Sequence, residues 1–247
     1  MPILNDVTLD QIDLPNSHYG YSAAKIEALG ATEYTTATIV VDVSGSTQAF
    51  KVEMEACIAE IISACKYSAR ADNLLLRLVQ FDTRLDEIHG FKLLENCNTS
   101  DYSGVLRPGG NTALYDAAEN AISAAVNYAG RLAAGDLSAN AILFVMTDGM
   151  DNASKLSAAS VKRAMDRAIS NETLGSIVSI LIGVNVGNAD ISRQLKDFKE
   201  TAGFNQYIEI DRADRDSLAG LARFVSKSIS VQSQVLMSGG SSSKLVF

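Results

Sequence analysis

Asp42-Val43-Ser44-Gly45-Ser46 and Thr147-Asp148-Gly149 decide how this chain is read. Each follows directly on a largely apolar run, residues 37–41 and 141–146, with the length and composition of a buried strand. Ligands of open parallel sheets gather beyond the C-terminal ends of the strands. Two carboxylates and two serine hydroxyls aimed at one crevice make an oxygen-only donor set, which suits a hard cation such as Mg2+.

Outward from these stretches the chain alternates strands and helices. Phe50, Met54, Ile58, Ile61, Ile62 and Cys65 recur at helical spacing, and a strand follows over 74–81. Asp82 and Thr83 then turn the chain into a more polar strand near 87–94. So short a link predicts an antiparallel hairpin, because a parallel crossover needs a dozen or more residues. Pro108-Gly109-Gly110 leads into a helix lined by Leu114, Ala118, Ile122, Ala125 and Leu132, ending by Gly135. The second half predicts a strand over 141–146, a helix over 161–169 and an apolar strand over 176–183. A helix over 191–202 stopped by Gly203, a strand over 207–210 and a helix over 218–229 complete it. Near-continuous apolar strands between amphipathic helices imply a sheet covered on both faces. The expected fold is α/β: a single doubly wound, mostly parallel, Rossmann-like sheet with one antiparallel edge strand. Its expected limits are residues 34–232. An N-terminal arm, 1–33, carries a short helical piece around 23–29, and a flexible Ser/Gly-rich tail occupies 233–247.

Composition narrows the function. The 247 residues suffice for one α/β domain or two small ones, and 47% hydrophobic content excludes global disorder. A net charge of -8 and a pI near 4.8 argue against nucleic acid or an anionic membrane as main partner. No apolar stretch approaches the roughly 20 residues of a membrane span. The start, Met1-Pro2-Ile3-Leu4-Asn5-Asp6, lacks the basic and apolar regions of a signal peptide. Cys57, Cys65 and Cys97 show no CxxC spacing and read as buried free thiols of a reducing compartment. A cytoplasmic, bacterial protein is expected.

Taken alone, Asp-x-Ser-x-Ser reads as a strand-to-helix turn with a capping serine, and Thr-Asp-Gly as a turn. Taken together with Gly109-Gly110-Asn111-Thr112, they resemble the metal-ion-dependent adhesion site (MIDAS) of the von Willebrand factor A domain family. The resemblance spans residues 37–230, follows the family's order of strands and helices, and substitutes no motif position. It implies that Ser44, Ser46 and Thr112 offer hydroxyls directly to Mg2+, with Mn2+ or Ca2+ as alternatives. Asp42 and Asp148 would bind directly or through water. It further implies a protein partner whose Asp or Glu completes the coordination, and an AAA+ ATPase as a companion. Gly45 is expected to let the loop fold back, and a helix opening at Thr47 to place its N-terminus nearby. Asp151 and Asn152 read as solvated loop, with a ligand-selecting rim or a cap on the next helix as alternatives. Asp82 and Thr83 read as neighbours of the site.

Catalysis is not expected. A haloacid-dehalogenase-type phosphoryl hydrolase needs a second acid two residues after the first, where this chain has Ser44. Its late acidic loop is matched only loosely by Gly149-Met150-Asp151. No P-loop or dinucleotide fingerprint occurs. A Ser-His-Asp triad would need His18, in the arm, or His89, in the edge hairpin. The expectation is a Mg2+-dependent protein-binding module. A structural protein self-assembling through arm, tail and metal site is the alternative, and a Mg2+-dependent phosphoryl hydrolase stands behind it.

Overall fold

Buried strands of Val, Ile and Leu separated by amphipathic helices fold as their pattern dictates. In chain order the computed structural model has β1 (Leu9–Ile12), β2 (Tyr21–Ala24), β3 (Glu33–Asp42), α1 (Lys51–Lys66), β4 (Leu74–Phe81) and β5 (Leu85–Leu93). There follow α2 (Leu114–Ala134), β6 (Ser138–Thr147), α3 (Ala158–Ile169), β7 (Leu174–Val184), α4 (Ala189–Ala202), β8 (Gln206–Ile210) and α5 (Arg215–Ser238). The structure describes residues 2–4, 6–15, 17 and 19–238, the last four by their backbone.

The strands form one eight-stranded sheet in the order β1-β2-β5-β4-β3-β6-β7-β8. β3 pairs in parallel with both β4 and β6, so the chain winds outward one way from β3 and then returns to wind the other way. That reversal puts a crevice between the C-terminal ends of β3 and β6. Alternate side chains of each strand point to opposite faces. Val40, Val79 and Val145 pack under α2, α3 and α4, whereas Ile39, Leu78 and Phe144 pack under α1 and α5. The doubly wound sheet expected from the pattern is therefore present. Cys57, Cys65 and Cys97 are buried free thiols.

The rim departs from the expectation. β5 does run antiparallel to β4, but it is not the edge. β2 pairs with it through Ala23 and Phe91, and β1 runs antiparallel to β2. Two four-residue strands of the expected 1–33 arm thus join the sheet, and the helical piece expected around 23–29 shrinks to a 3-10 turn, Ile26–Ala28. The close approach needs Gly90, where a Cβ would lie 2.0 Å from the Ser22 carbonyl oxygen. The buried Arg77 guanidinium donates to Glu87 at 2.7 Å, and the Ser22 amide donates to the same carboxylate at 2.9 Å, tying β2 to the hairpin. At the other end, the boundary expected at residue 232 falls inside α5, where Gln232 donates to Ser176 Oγ at 2.7 Å. The part of the expected tail beyond Ser238 lies outside the described residues.

Candidate metal centre

β3 ends on Asp42 and β6 on Thr147, and one carboxylate joins them. Asp42 Oδ1 accepts the Ser44 amide at 2.7 Å, and Oδ2 accepts the Thr147 hydroxyl at 2.6 Å. The first bond folds the loop back after the strand and brings Ser44 Oγ to 3.2 Å from Ser46 Oγ. Thr47 secures the turn by donating its hydroxyl to the Ser44 carbonyl at 2.9 Å. The α-helix expected to open at Thr47 starts only at Lys51, because residues Gly45–Phe50 wind as a 3-10 helix. The expected helix N-terminus is therefore not at the serines. Gly45 has no positive φ either, so the bond from the Ser44 amide to Asp42, not glycine geometry, makes the fold-back.

The left-handed residue is Gly110, at φ +61°. A Cβ there would lie 2.7 Å from Thr83 Oγ1 and 2.8 Å from Asp82 Oδ2. Around it the loop is hydrogen-bonded at every step. The Gly109 amide donates to the Val43 carbonyl at 2.8 Å, and the Gly110 carbonyl accepts the Gly45 amide at 3.2 Å. The Asn111 amide donates to Thr83 Oγ1 at 2.9 Å, and the Ala113 amide to the Asp82 carbonyl at 2.8 Å. Asp82 and Thr83 are neighbours of the site, as expected, and they shape it. Thr112 is buried, and its hydroxyl faces the Asp148-Gly149 turn, since a Cβ on Gly149 would lie 3.9 Å from Thr112 Oγ1.

Asp151 and Asn152 are more than solvated loop. Asn152 Oδ1 accepts the Thr112 amide at 2.8 Å. Asp151 accepts the Ser154 hydroxyl and, at 3.3 Å, the Tyr115 amide at the start of α2. The position before α3 belongs to Ser157, so neither residue caps that helix. Sequence reasoning includes Thr147 in its motif without giving it a role and reads Asn152 as solvated loop, whereas the structure makes both of them bond partners of the site. A threonine directly before the aspartate and an asparagine four after it were the only signals.

Asp42, Ser44, Ser46, Thr112 and Asp148 are thus brought together from three loops. Ser46 is exposed and Asp148 half-buried, so the cluster opens to solvent on one side. Burial pushes the Asp42 carboxyl up to about 6; the Asp148 charge adds to that, while the Thr147 and Ser44 bonds oppose it. Asp148 is raised too, again mainly by desolvation, with the Ser46 and Ser44 hydroxyls pulling the other way. Asp148 Oδ1 is buried and has no hydrogen-bond partner among the described residues. Two carboxylates held together out of water, one with an orphaned oxygen beside hydroxyls, fit a hard cation. Among the described residues no three His, Cys, Asp or Glu side chains gather to hold a metal, so an ion here would depend on the hydroxyls beside the two aspartates. His89 is fully buried against Tyr102, its Nδ1 donating to the Gly90 carbonyl and its Nε2 accepting from Tyr102 OH, both at 2.9 Å. Its ring bonds are to Gly90 and Tyr102 and to none of the candidate metal residues, and His18 lies outside the described residues.

No protein-family model and no curated protein sequence matches the chain. Solved structures do. The PilB minor pilin from Streptococcus sanguinis superposes with a TM-score of 0.59 at 15% identity, over 85% of this chain and 64% of the pilin. The pilus adhesin SpaC from Lactobacillus rhamnosus GG, in an open conformation, gives 0.59 at 12% identity, over 81% of this chain and 30% of the adhesin. Proximal thread matrix protein 1 from the mussel byssus, with a zinc-occupied MIDAS motif, gives 0.51 at 18% identity, over 82% and 47%. At these identities the likeness establishes a shared fold, the α/β architecture that the von Willebrand factor A resemblance implied. The chain spans less than two thirds of each of these proteins. No helix among the described residues is long and apolar enough to cross a membrane.

Proposed function

We propose that this chain is a divalent-cation-dependent adhesion or assembly module that binds a protein partner through a MIDAS-type site. The observation that carries the reading is the convergence of Asp42, Ser44, Ser46, Thr112 and Asp148 with the buried Asp148 Oδ1 left unpaired. Ser44, Ser46 and Thr112 would hold the cation through hydroxyls, with Asp42 and Asp148 beside them directly or through water. When bound, Mg2+ or a similar ion would present an incompletely compensated charge to a carboxylate from outside. The exposed Ser46 leaves room for that group on the solvent side. A carboxylate entering a partly dehydrated crevice makes a stronger contact than a surface ion pair.

The mussel protein with zinc in its MIDAS motif supports a divalent metal, and the pilin and adhesin support adhesion or assembly as its use. The AAA+ companion and the cytoplasmic setting expected from sequence find no support among these neighbours. Self-assembly through the same site is the second reading, favoured by the pilin likeness. The module has no catalysis of its own in this proposal: Ser44 stands where a phosphoryl hydrolase needs its second acid, and His89 is buried in packing contacts.

Calorimetric titration with Mg2+, Mn2+ and Zn2+ tests the metal. Asp42→Ala should abolish binding while the far-UV spectrum persists, because the buried strands carry the fold. Unchanged affinity in that variant would remove Asp42 from the site. Light scattering with and without EDTA separates the two uses: metal-dependent self-association favours assembly, and metal-independent monomers favour an external partner.

A further inference from the structure

We infer that Asn152 is a positioning residue that holds Thr112 in the site before any cation or partner arrives. The inference rests on the metal reading above and deepens it. Thr112 is gripped on both of its backbone groups by one stretch of chain. Its amide donates to Asn152 Oδ1 at 2.8 Å, while its carbonyl accepts the Asn152 amide at 3.0 Å and the Ala153 amide at 3.1 Å. That stretch follows Asp148 by four residues, so the loop that supplies one carboxylate also fixes the hydroxyl opposite it.

The side chain matters because of what the backbone cannot do. Asn152 and Ala153 offer amides to the Thr112 carbonyl, but only a side-chain oxygen reaches the Thr112 amide. Thr112 is buried, and no water-facing alternative replaces that bond without cost. The neighbours reinforce the hold: Asn111 is bonded to Thr83 and Ala113 to Asp82. A loop whose residues 109–113 are all bonded, between them to residues 43–45, 82–83 and 152–153, has little freedom left, so the hydroxyl is preorganised and not recruited. Groups that orient metal ligands in this way are worth roughly 10–100-fold in metal affinity.

Mn2+ affinity by calorimetry and the water count on bound Mn2+ by proton relaxation test the inference. Asn152→Ala should weaken Mn2+ roughly 10–100-fold and add exchangeable water to the ion, because the Thr112 hydroxyl drifts away. Asn152→Asp keeps the acceptor and should retain wild-type hydration. A mutant cycle separates positioning from general damage. On a Thr112→Ala background, Asn152→Ala should have no further effect on affinity, since its lever is gone. Equal affinity of wild type and Asn152→Ala, or full additivity in the cycle, overturns the role of Asn152. Absence of Mn2+ binding in the wild type overturns the metal reading and this inference with it, an outcome distinct from the other two. Melting temperatures in EDTA report separately whether Asn152→Ala remains folded.

Discussion

Asp42→Asn should make the metal-free protein more stable while destroying its response to metal. Asp42 is 3% exposed, and burial pushes its carboxyl up to about 6 from the 3.8 of an unperturbed aspartate. A raised carboxyl pKa means that the folded state binds a proton more tightly than the unfolded state does. The stability it contributes is complete below pH 3.8, declines as pH rises through 6, and is absent above. Each pH unit between those two values is worth about 1.4 kcal/mol, so at about pH 8 the folded protein carries a penalty of about 3 kcal/mol. Asparagine removes that penalty without losing a bond. Its oxygen can accept the Ser44 amide in place of Oδ1. Its NH2 can donate to Thr147 Oγ1, whose own proton then goes to the Gly149 carbonyl 3.0 Å away. A gain of about 3 kcal/mol in a chain of this size raises Tm by about 6–12 °C. Scanning calorimetry in EDTA at about pH 8 measures it, and the gap should close as pH falls toward about 4. Mg2+ at about a hundred times its Kd would stabilise only the wild type, by about 2.7 kcal/mol, nearly cancelling the difference. A variant that melts at or below the wild type in EDTA would refute the claim that desolvation of this carboxylate is a cost which the cation relieves.

The buried His89 predicts acid sensitivity of the opposite sign. Its pKa is pushed down to about 3 by burial and the Lys92 charge, so its contribution is intact above 6.5 and lost as pH falls from 6.5 to 3. Urea titrations over that window should lose about 1.4 kcal/mol per pH unit relative to His89→Gln. Parallel pH curves for the two proteins would count against it. Gly90→Ala should loosen the β1–β2 hairpin by driving a Cβ into the Ser22 carbonyl, at a cost of about 1–3 kcal/mol. Hydrogen exchange should then quicken in β1 and β2 and not in β6, and uniform protection in the variant would contradict the pairing at the rim.

Local spacing was enough for most of the architecture. The runs ending at Asp42 and Thr147, and the helical repeats from Phe50 to Cys65 and from Leu114 to Leu132, carry their periodicity within a few residues, so each element and its buried face were legible. Placing Asp42, Ser44, Ser46 and Asp148 just beyond the ends of two strands followed from the same pattern, whereas Thr112, in the loop before α2, joined them only through the family resemblance. The tertiary structure alone decided what those ends do to one another. The Thr147–Asp42 bond joins residues 105 apart in sequence, and the Asn152–Thr112 bond residues 40 apart. No period records such distances. Gly110 needed its left-handed φ because Thr83 and Asp82 crowd it from another loop, whereas Gly45, beside the serines in sequence, did not. The N-terminal segment became sheet because β5 offered an edge beside Gly90, and four-residue strands are too short to announce themselves by alternation. Sequence determines which faces are apolar and where strands end; only the packed sheet determines which polar groups are left to satisfy each other there, because desolvation acts on neighbours in space and not in the chain.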